Sequence, residues 1–463
     1  MICELSWLEP DDAFRRVRHE PVLVWLDSSD AVGSRSRYSY LCIDPFSVLE
    51  LRGGMLRQDD VPLDADPFAA LAAFLAPWQV DRVSAPVPFQ GGAVGLLGYG
   101  LSRRLERLTH RHAENPDLPE LWFGLFDLLL AFDRAERRCW IISRGLPEPT
   151  AASRALHAQA RADWLQDRLC HNPSAATGRL PPLEWHPDLS LTAYTSMIRR
   201  GLELIHAGDI FQANLTMRHV ATRPPALDPT AVHLALRRAN PAPFSAYIGW
   251  GRGQGLSSTS PERFIRLDNA GGIETRPIKG TRARHSDPVQ DDSTRAELAV
   301  SVKDHAENLM IVDLMRNDLS RVAAAGSVRV PELCRTESFA TVHHLVSSIT
   351  AKLGPGADAI DLLRATFPGG SVTGAPKIRA MEVIDTLEVA ARGPYCGCIA
   401  WLGFDGAMDS SIVIRTLLIT GRQVIAQAGG GIVADSVPEA EHAEMMTKVA
   451  PLLSVFPGTV SSA

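Results

Sequence analysis

The spacing of apolar residues changes along the chain, and each change predicts an element. Short apolar runs at Pro21-Val-Leu-Val-Trp-Leu26 and Tyr38-Ser-Tyr-Leu-Cys-Ile43 predict strands. Leu121 to Phe132 and Cys139 to Ser143 predict the arms of a hairpin. An Ala/Arg-rich helix begins near residue 150 and runs into Asn172-Pro-Ser-Ala-Ala-Thr-Gly178, the composition of a linker. Leu191 to His206 carries the period of an amphipathic helix. Phe211-Gln-Ala-Asn-Leu-Thr216 opens a strand region, and hairpins then alternate with helices to about Val455. A boundary near Leu191 gives two expected domains, 1–185 with its linker and 186–463. Hairpins mixed with helices, without regular βαβ alternation, predict an α+β fold rather than a doubly wound sheet.

Phe89-Gln-Gly-Gly-Ala-Val-Gly-Leu-Leu-Gly-Tyr99 is rich in glycine but lacks the ordered spacing and following helix of a dinucleotide loop. It reads as close backbone packing or a bulge. The 463 residues supply ample core, and 45% apolar with 22% charged residues is ordinary for a globular protein. A net charge of -6 argues against nucleic acid or an anionic membrane surface as partner. The N-terminus carries no basic region or signal-type apolar core, and no apolar run suits a bilayer, so a cytoplasmic location is expected. The seven cysteines are scattered. Cys396-Gly-Cys398, the one close pair, has no second pair or His cluster to complete a zinc site, and reduced thiols are expected.

Against this background lysine is scarce: Lys279, Lys303, Lys352, Lys377 and Lys448 are all the chain has, within 47 basic residues. Only an amine that sheds its proton can attack carbon, which arginine cannot do. Folding Glu262–Leu267 onto Ile273–Lys279 about Ala270 and Gly271 sets Glu262 opposite Lys279. That pair reads either as a cross-strand ion pair or as an acid beside a nucleophile. A bulge, or Pro277, would shift this register. Asp304 and Glu307 stand three apart on one predicted helix, and Glu441 and Glu444 repeat the spacing on another, with Lys448 one turn beyond. Each acid pair reads as solvated helix surface, or, if the faces converge, as an all-oxygen site for Mg2+. Pro368-Gly-Gly-Ser-Val-Thr-Gly-Ala-Pro-Lys377 precedes a helix that Ser371 or Thr373 could cap, leaving N–H groups for an anion or a plain structural cap. A second hairpin, turning at Thr420-Gly-Arg422, sets Arg415 near Ala428, beside Gly429 to Gly431. An arginine fork next to bare backbone N–H groups suits a carboxylate.

Ser260-Pro-Glu-Arg-Phe264, Pro277-Ile-Lys-Gly-Thr281, Glu307-Asn-Leu-Met-Ile-Val-Asp-Leu-Met-Arg-Asn-Asp-Leu319, Gly374-Ala-Pro-Lys377, Ile412-Val-Ile-Arg415 and Gln427-Ala-Gly-Gly-Gly-Ile-Val433 resemble the chorismate-utilising enzymes. So do Asp209-Ile-Phe-Gln-Ala-Asn214, Asn240-Pro-Ala-Pro-Phe244, His344-Leu-Val-Ser347 and Asp435-Ser-Val-Pro438. The resemblance is strongest from Leu191 to Val455. It implies antiparallel sheets packed as a sandwich with helices outside. Lys279 matches the members that form 4-amino-4-deoxychorismate; the anthranilate-forming members usually carry Ala there. Gln212 stands where members that add water carry Lys. The resemblance therefore implies amination of chorismate for p-aminobenzoate and folate, with anthranilate formation, or an inactive subunit that activates a glutaminase, as alternatives. It gives Lys279 the attack on C2, Glu262 the proton for the departing C4 hydroxyl, and His344 a place lining the site. Glu307 and Glu444 hold Mg2+, with Glu441 and Asp304 beside them, although the family usually has Glu at the Asp304 position. Thr373, Tyr395, Arg415, Gly429, Gly431 and Lys448 hold the substrate carboxylates and ring. The implied partner is a glutamine amidotransferase subunit supplying ammonia. Tryptophan is an implied ligand of the N-terminal part, at Leu26-Asp-Ser-Ser-Asp30 and Asn240-Pro-Ala-Pro243, the first of which departs from the usual motif.

Overall fold

A computed structural model describes residues 1–463 apart from 31–32, 34–35, 81–84, 172–178, 339–341 and 461–463, and without the side chains of 459 and 460. The linker expected at 172–178 lies outside the described residues. Two large sheets, antiparallel at nearly every pairing, form the body. Apolar side chains from both sheets interlock between them: Val24, Cys42, Ala246, Ile248 and Leu418 from one meet Val94, Leu96, Trp122 and Ile399 from the other. Helices cover the outer faces. Leu191–His206, Lys377–Leu387 and Pro438–Leu453 bury Ile198, Ile384 and Met445 on one sheet. Pro67–Leu75 and Val302–Ser320 bury Phe68, Leu71, Ile311 and Met315 on the other. This is the α+β sandwich that the sequence implied.

Both sheets draw strands from both ends of the chain. Val22–Asp27 pairs with Phe244–Trp250, setting Trp25 opposite Tyr247, and Gly92–Leu97 pairs with Cys398–Gly403. The glycine-rich segment is close packing: a Cβ at Gly92 would lie 2.0 Å from the Leu402 carbonyl oxygen, and one at Gly95 1.9 Å from that of Trp122.

Three expectations of local structure need correction. Leu121 to Phe132 is not one hairpin arm. Pro119–Phe126 belongs to one sheet and Leu128–Asp133 to the other, and the chain crosses at Asp127, whose buried carboxylate accepts from Gly145 N at 3.0 Å. The run Ser411 to Thr416 likewise divides. Met408–Ile412 and Thr416–Ile419 lie in different sheets, joined through Arg415 at φ 52°. Lys279 is not on the strand that pairs with Arg263–Leu267. That hairpin ends at Thr275, with Arg266 opposite Glu274, and Ile278–Ala283 pairs instead with Val342–Lys352, Lys279 facing Leu345. Arg276-Pro277 interrupts the strand, since proline cannot supply a ladder donor.

Candidate functional site

A cavity of about 2080 Å³ opens between the strand ends and the helices Val302–Ser320 and Pro438–Leu453. Twelve of the thirteen side chains or backbones singled out in the sequence line it: Glu262, Lys279, Asp304, Glu307, His344, Tyr395, Arg415, Gly429, Gly431, Glu441, Glu444 and Lys448. Thr373 does not. Its side chain is fully buried and its hydroxyl donates to the Gly369 carbonyl at 3.1 Å; its neighbour Ser371 reaches the cavity instead. Neither residue caps the following helix. Lys377 turns inward, donating to Asp318 at 2.5 Å and to the Thr366 and Pro368 carbonyls.

Glu262 and Lys279 reach the same cavity without being opposed on a hairpin. Burial pushes the Glu262 carboxyl up to about 7, against opposing effects from the Ser371 hydroxyl and the charge of Lys279. Glu262 therefore keeps its proton near neutrality. The other lysines are occupied among the described residues: Lys303 lies 3.9 Å from Glu307, Lys377 binds Asp318, Lys448 binds Glu444 at 2.6 Å, and Lys352 donates to the Ala270 carbonyl. Lys279 has no such partner among the described residues. Half-buried, it precedes Gly280, where φ is +75° and the pairing slips by one residue.

The acidic helices face one cavity, and Pro438–Leu453 lies against the glycine-rich strand Gln423–Ile432. A Cβ at Gly430 would come within 3.1 Å of Glu441 Oε2, 3.6 Å of Lys448 Nζ and 4.0 Å of Glu444 Oε1. Glu441 accepts from Ser436 at 2.6 Å, and Asp304 from Arg282 at 3.0 Å. Burial raises the Glu307 carboxyl, helped by Asp304 and Glu441 and opposed by Lys279 and Lys303. Burial also pushes Glu444 up, but Lys448, with Lys303 and Lys279, outweighs it and the net shift is downward. Among the described residues no three His, Cys, Asp or Glu side chains are gathered as a ready-made metal cluster. What faces the cavity is an all-carboxylate donor set on two helices, with Glu307 held by nothing closer than Lys303. In chemistry this set suits a hard divalent cation.

Arg415 and the backbone at Gly429 and Gly431 line the same cavity. Arg415 donates to the Lys448 carbonyl at 3.1 Å, and burial lowers its guanidinium below the usual value. Lys448 donates to the Gly429 carbonyl at 3.0 Å. Gly429 must be glycine, because a Cβ there would meet the Leu215 carbonyl oxygen at 2.1 Å. Tyr395 is buried nearby, its phenol held well above its ordinary range by desolvation. His344 stands beside Lys279's strand, its Nδ1 2.9 Å from Thr281 Oγ1.

The sequence reading missed Ser371 as the partner of Glu262, and Arg282 as the partner of Asp304. Lys303 was legible, since it stands four residues before Glu307 on the same helix face. The other two contacts join segments distant in sequence and leave no spacing signal.

The chain matches the chorismate binding enzyme family over residues 24–454. It is 44% identical over 457 residues to aminodeoxychorismate synthase component 1 of Salmonella typhimurium, covering 97% of this chain and 96% of the relative. It is 38% identical over 442 residues to anthranilate synthase component 1 of Streptomyces coelicolor, covering 93% and 82%. Among solved structures, anthranilate synthase component I from Streptococcus pneumoniae superposes with a TM-score of 0.81 at 29% identity, covering 96% of this chain and 97% of the other.

Proposed function

The chain belongs to the chorismate binding enzyme family, closely related to aminodeoxychorismate synthase component 1, and from that premise we propose that it converts chorismate and ammonia to 4-amino-4-deoxychorismate. The observation that carries this reading is a lysine, Lys279, with no ion-pair or hydrogen-bond partner among the described residues, sharing one cavity with a carboxyl, Glu262, whose pKa burial raises to about 7.

Lys279 Nζ attacks C2 of the ring, the double bond shifts, and the C4–O bond breaks. Hydroxide leaves poorly, so Glu262 delivers its proton to the departing oxygen, which leaves as water. Ammonia then forms the C4–N bond, the double bond returns, and the C2–N bond to Lys279 breaks. The proton lost by ammonia balances the one Glu262 gave. Two steps through one covalent intermediate let a single pocket direct the nitrogen to C4. Arg415, Lys448 and the backbone at Gly429 and Gly431 hold the substrate carboxylates, while Tyr395 and His344 border the ring. Thr373 acts only through the backbone it shapes. Glu307 and Glu444 would hold Mg2+, with Glu441 and Asp304 beside them. Bound there, the ion neutralises the ring carboxylate against this acidic wall. Residues 186–463 carry the chemistry, and 1–185 complete the sheets around it. The name component 1 borne by the relatives supports a glutamine amidotransferase subunit as the ammonia source, and p-aminobenzoate for folate as the product's destination. The absence, among the described residues, of any helix long and apolar enough to cross a membrane accords with work in the cytoplasm.

Product analysis tests the reading. With chorismate, Mg2+ and ammonium salt, the purified chain should form 4-amino-4-deoxychorismate without releasing pyruvate. Pyruvate with fluorescent anthranilate would instead make it an anthranilate synthase, and glutamine should replace ammonium only once the partner subunit is added. Glu307→Gln should raise the Mg2+ concentration for half-maximal activity on the order of 10-fold or more, as expected when a carboxylate ligand is lost. An unchanged Mg2+ titration would take Glu307 out of the site.

Leu26, Asp27 and Ser28 meet Pro243 and Phe244 at a separate cavity of about 140 Å³, walled by Tyr38, Tyr40 and Trp401. Leu26 to Ser28 and Pro243, from the two segments that the resemblance associates with tryptophan, thus meet at one aromatic pocket, while Ser29, Asp30 and Asn240 to Ala242 line the larger cavity; that meeting is the ground for proposing that amino acid as its ligand. If added tryptophan neither co-purifies with the chain nor alters turnover, the pocket has another role.

A further inference from the structure

The helix Pro288–Val300 is exposed along nearly its whole length; only Asp291 and Leu298 are buried. These two contacts lie at opposite ends and do different things. Leu298 bears on Gly280, the residue after Lys279: a Cβ at Gly280 would stand 2.9 Å from Leu298 Cδ1 and 2.9 Å from Asp304 Cγ. Gly280 is where the strand Ile278–Ala283 slips in its pairing. The helix therefore presses on the bulge that aims Lys279.

Asp291 is the other fastening. Its carboxylate accepts from Arg284 Nε at 2.8 and 2.9 Å and from His285 N at 3.0 Å. Oδ1 also lies 3.0 Å from His343 Nε2, and His343 Nδ1 lies 2.8 Å from Ser338 Oγ. With Asp291 anionic, His343 Nε2–H donates to its carboxylate, and Nδ1 shares a hydrogen bond with the Ser338 hydroxyl. His343 is 1% exposed and sits on Val342–Lys352, directly opposite Arg282 on Lys279's strand. A further tie from this helix to that strand, Arg282 to Glu297 at 3.4 Å, has a glutamate side chain 69% exposed and contributes little. A helix with so few buried apolar contacts has little independent stability, so its docking depends on the clasp.

We propose that Asp291 and His343 are positioning residues for Lys279. They hold the helix Pro288–Val300 down so that Leu298 fixes the Gly280 bulge and thereby the line of attack of Lys279 Nζ. The inference rests on the reading of Lys279 as nucleophile. Neither residue touches substrate, so the binding of chorismate at Arg415 and Gly429 is independent of them.

The test uses the full-length chain with Mg2+, chorismate and ammonium salt. His343→Ala and Asp291→Ala should each lower kcat roughly 10- to 100-fold, the scale of a misplaced reacting group. The KM for chorismate should stay within about twofold in both, since the anion seat is untouched. Amide hydrogen exchange across 288–300 should accelerate in both. Leu298→Ala should reproduce the fall in kcat from the other end of the helix. His343→Gln, whose amide N–H can still reach Asp291, should recover most of the turnover. The proposal is overturned if exchange accelerates but kcat does not change. It is equally overturned if kcat, KM and Tm all shift together and His343→Gln restores nothing, which is the behaviour of a merely structural clasp. Lys279→Ala separates the two failures. If that variant is inactive while His343→Ala turns over normally, only the positioning role falls; if Lys279→Ala turns over normally, the nucleophile reading falls and the positioning role with it.

Discussion

Lys279→Ala should lower 4-amino-4-deoxychorismate formation on the order of 10³-fold or more, because it removes the atom that forms the covalent bond and not merely a contact. The wild-type chain, quenched with chorismate and Mg2+ but without ammonia, should carry a mass increment on the peptide containing Lys279; the variant should not. Ammonia can still attack the unsubstituted ring at C2, so anthranilate-like side products are expected from the variant. Its fold should be intact: the side chain is half-buried and ties to nothing among the described residues, so its loss breaks no buried hydrogen bond. Unchanged turnover would remove Lys279 from the chemistry and leave the cavity without a nucleophile.

Glu262→Gln should cost about 10²- to 10⁴-fold in kcat, the usual scale of a positioned general acid. Gln keeps the shape and the hydrogen-bonding reach toward Ser371 but has no proton to give. The pH dependence follows from the direction of the shift. Burial raises the Glu262 carboxyl from 4.5 to about 7, so its proton is held below that pH and lost above it. In the wild type the limb of kcat/KM assigned to this group should be flat below about pH 7 and fall roughly tenfold per unit above it. In Glu262→Gln that limb should vanish. A wild-type profile that instead rises through pH 7 would mean that Glu262 works as a carboxylate, and would reverse its role.

How much of this was legible depended on the range of the interaction. The helix Leu191–His206 was read to its ends, because Ser190 caps it locally by accepting from Ala193 N at 3.2 Å and the apolar period within it is unbroken. The turn of the Glu262 hairpin was read, but its register was off by one, and Lys279 proved to belong to a different strand. What decided that was Pro277, together with a partner strand more than sixty residues away; a local pattern reports neither. The register of the second hairpin is legible, Leu417 pairing with Ala426 and Ile419 with Val424 across a tight turn, but the ladder stops there, and Arg415 shares only the cavity with Ala428. The convergence of Val302–Ser320 with Pro438–Leu453 could be stated from spacing only as a condition. It is met because Pro438–Leu453 lies against the bare backbone at Gly430 while Val302–Ser320 brings Asp304 to Gly280 across the same cavity, and nothing in either helix encodes that. The clasp at Asp291 left no trace at all, since its residues are ordinary and far apart in sequence.

The sharing of both sheets by the two ends of the chain has a consequence for how the protein is made. Leu97 waits for Cys398 and Trp25 for Tyr247. At about 5–20 residues per second, the gap of roughly 300 residues between Leu97 and its partner takes the ribosome about 15–60 s. During that interval the nascent strand Gly92–Leu97 presents an apolar face and an unpaired edge, the kind of surface on which neighbouring chains associate. Synthesis from the N-terminus therefore yields no finished half: the edge at Gly92–Leu97 is sealed only once Cys398–Gly403, within the last quarter of the polypeptide, has emerged.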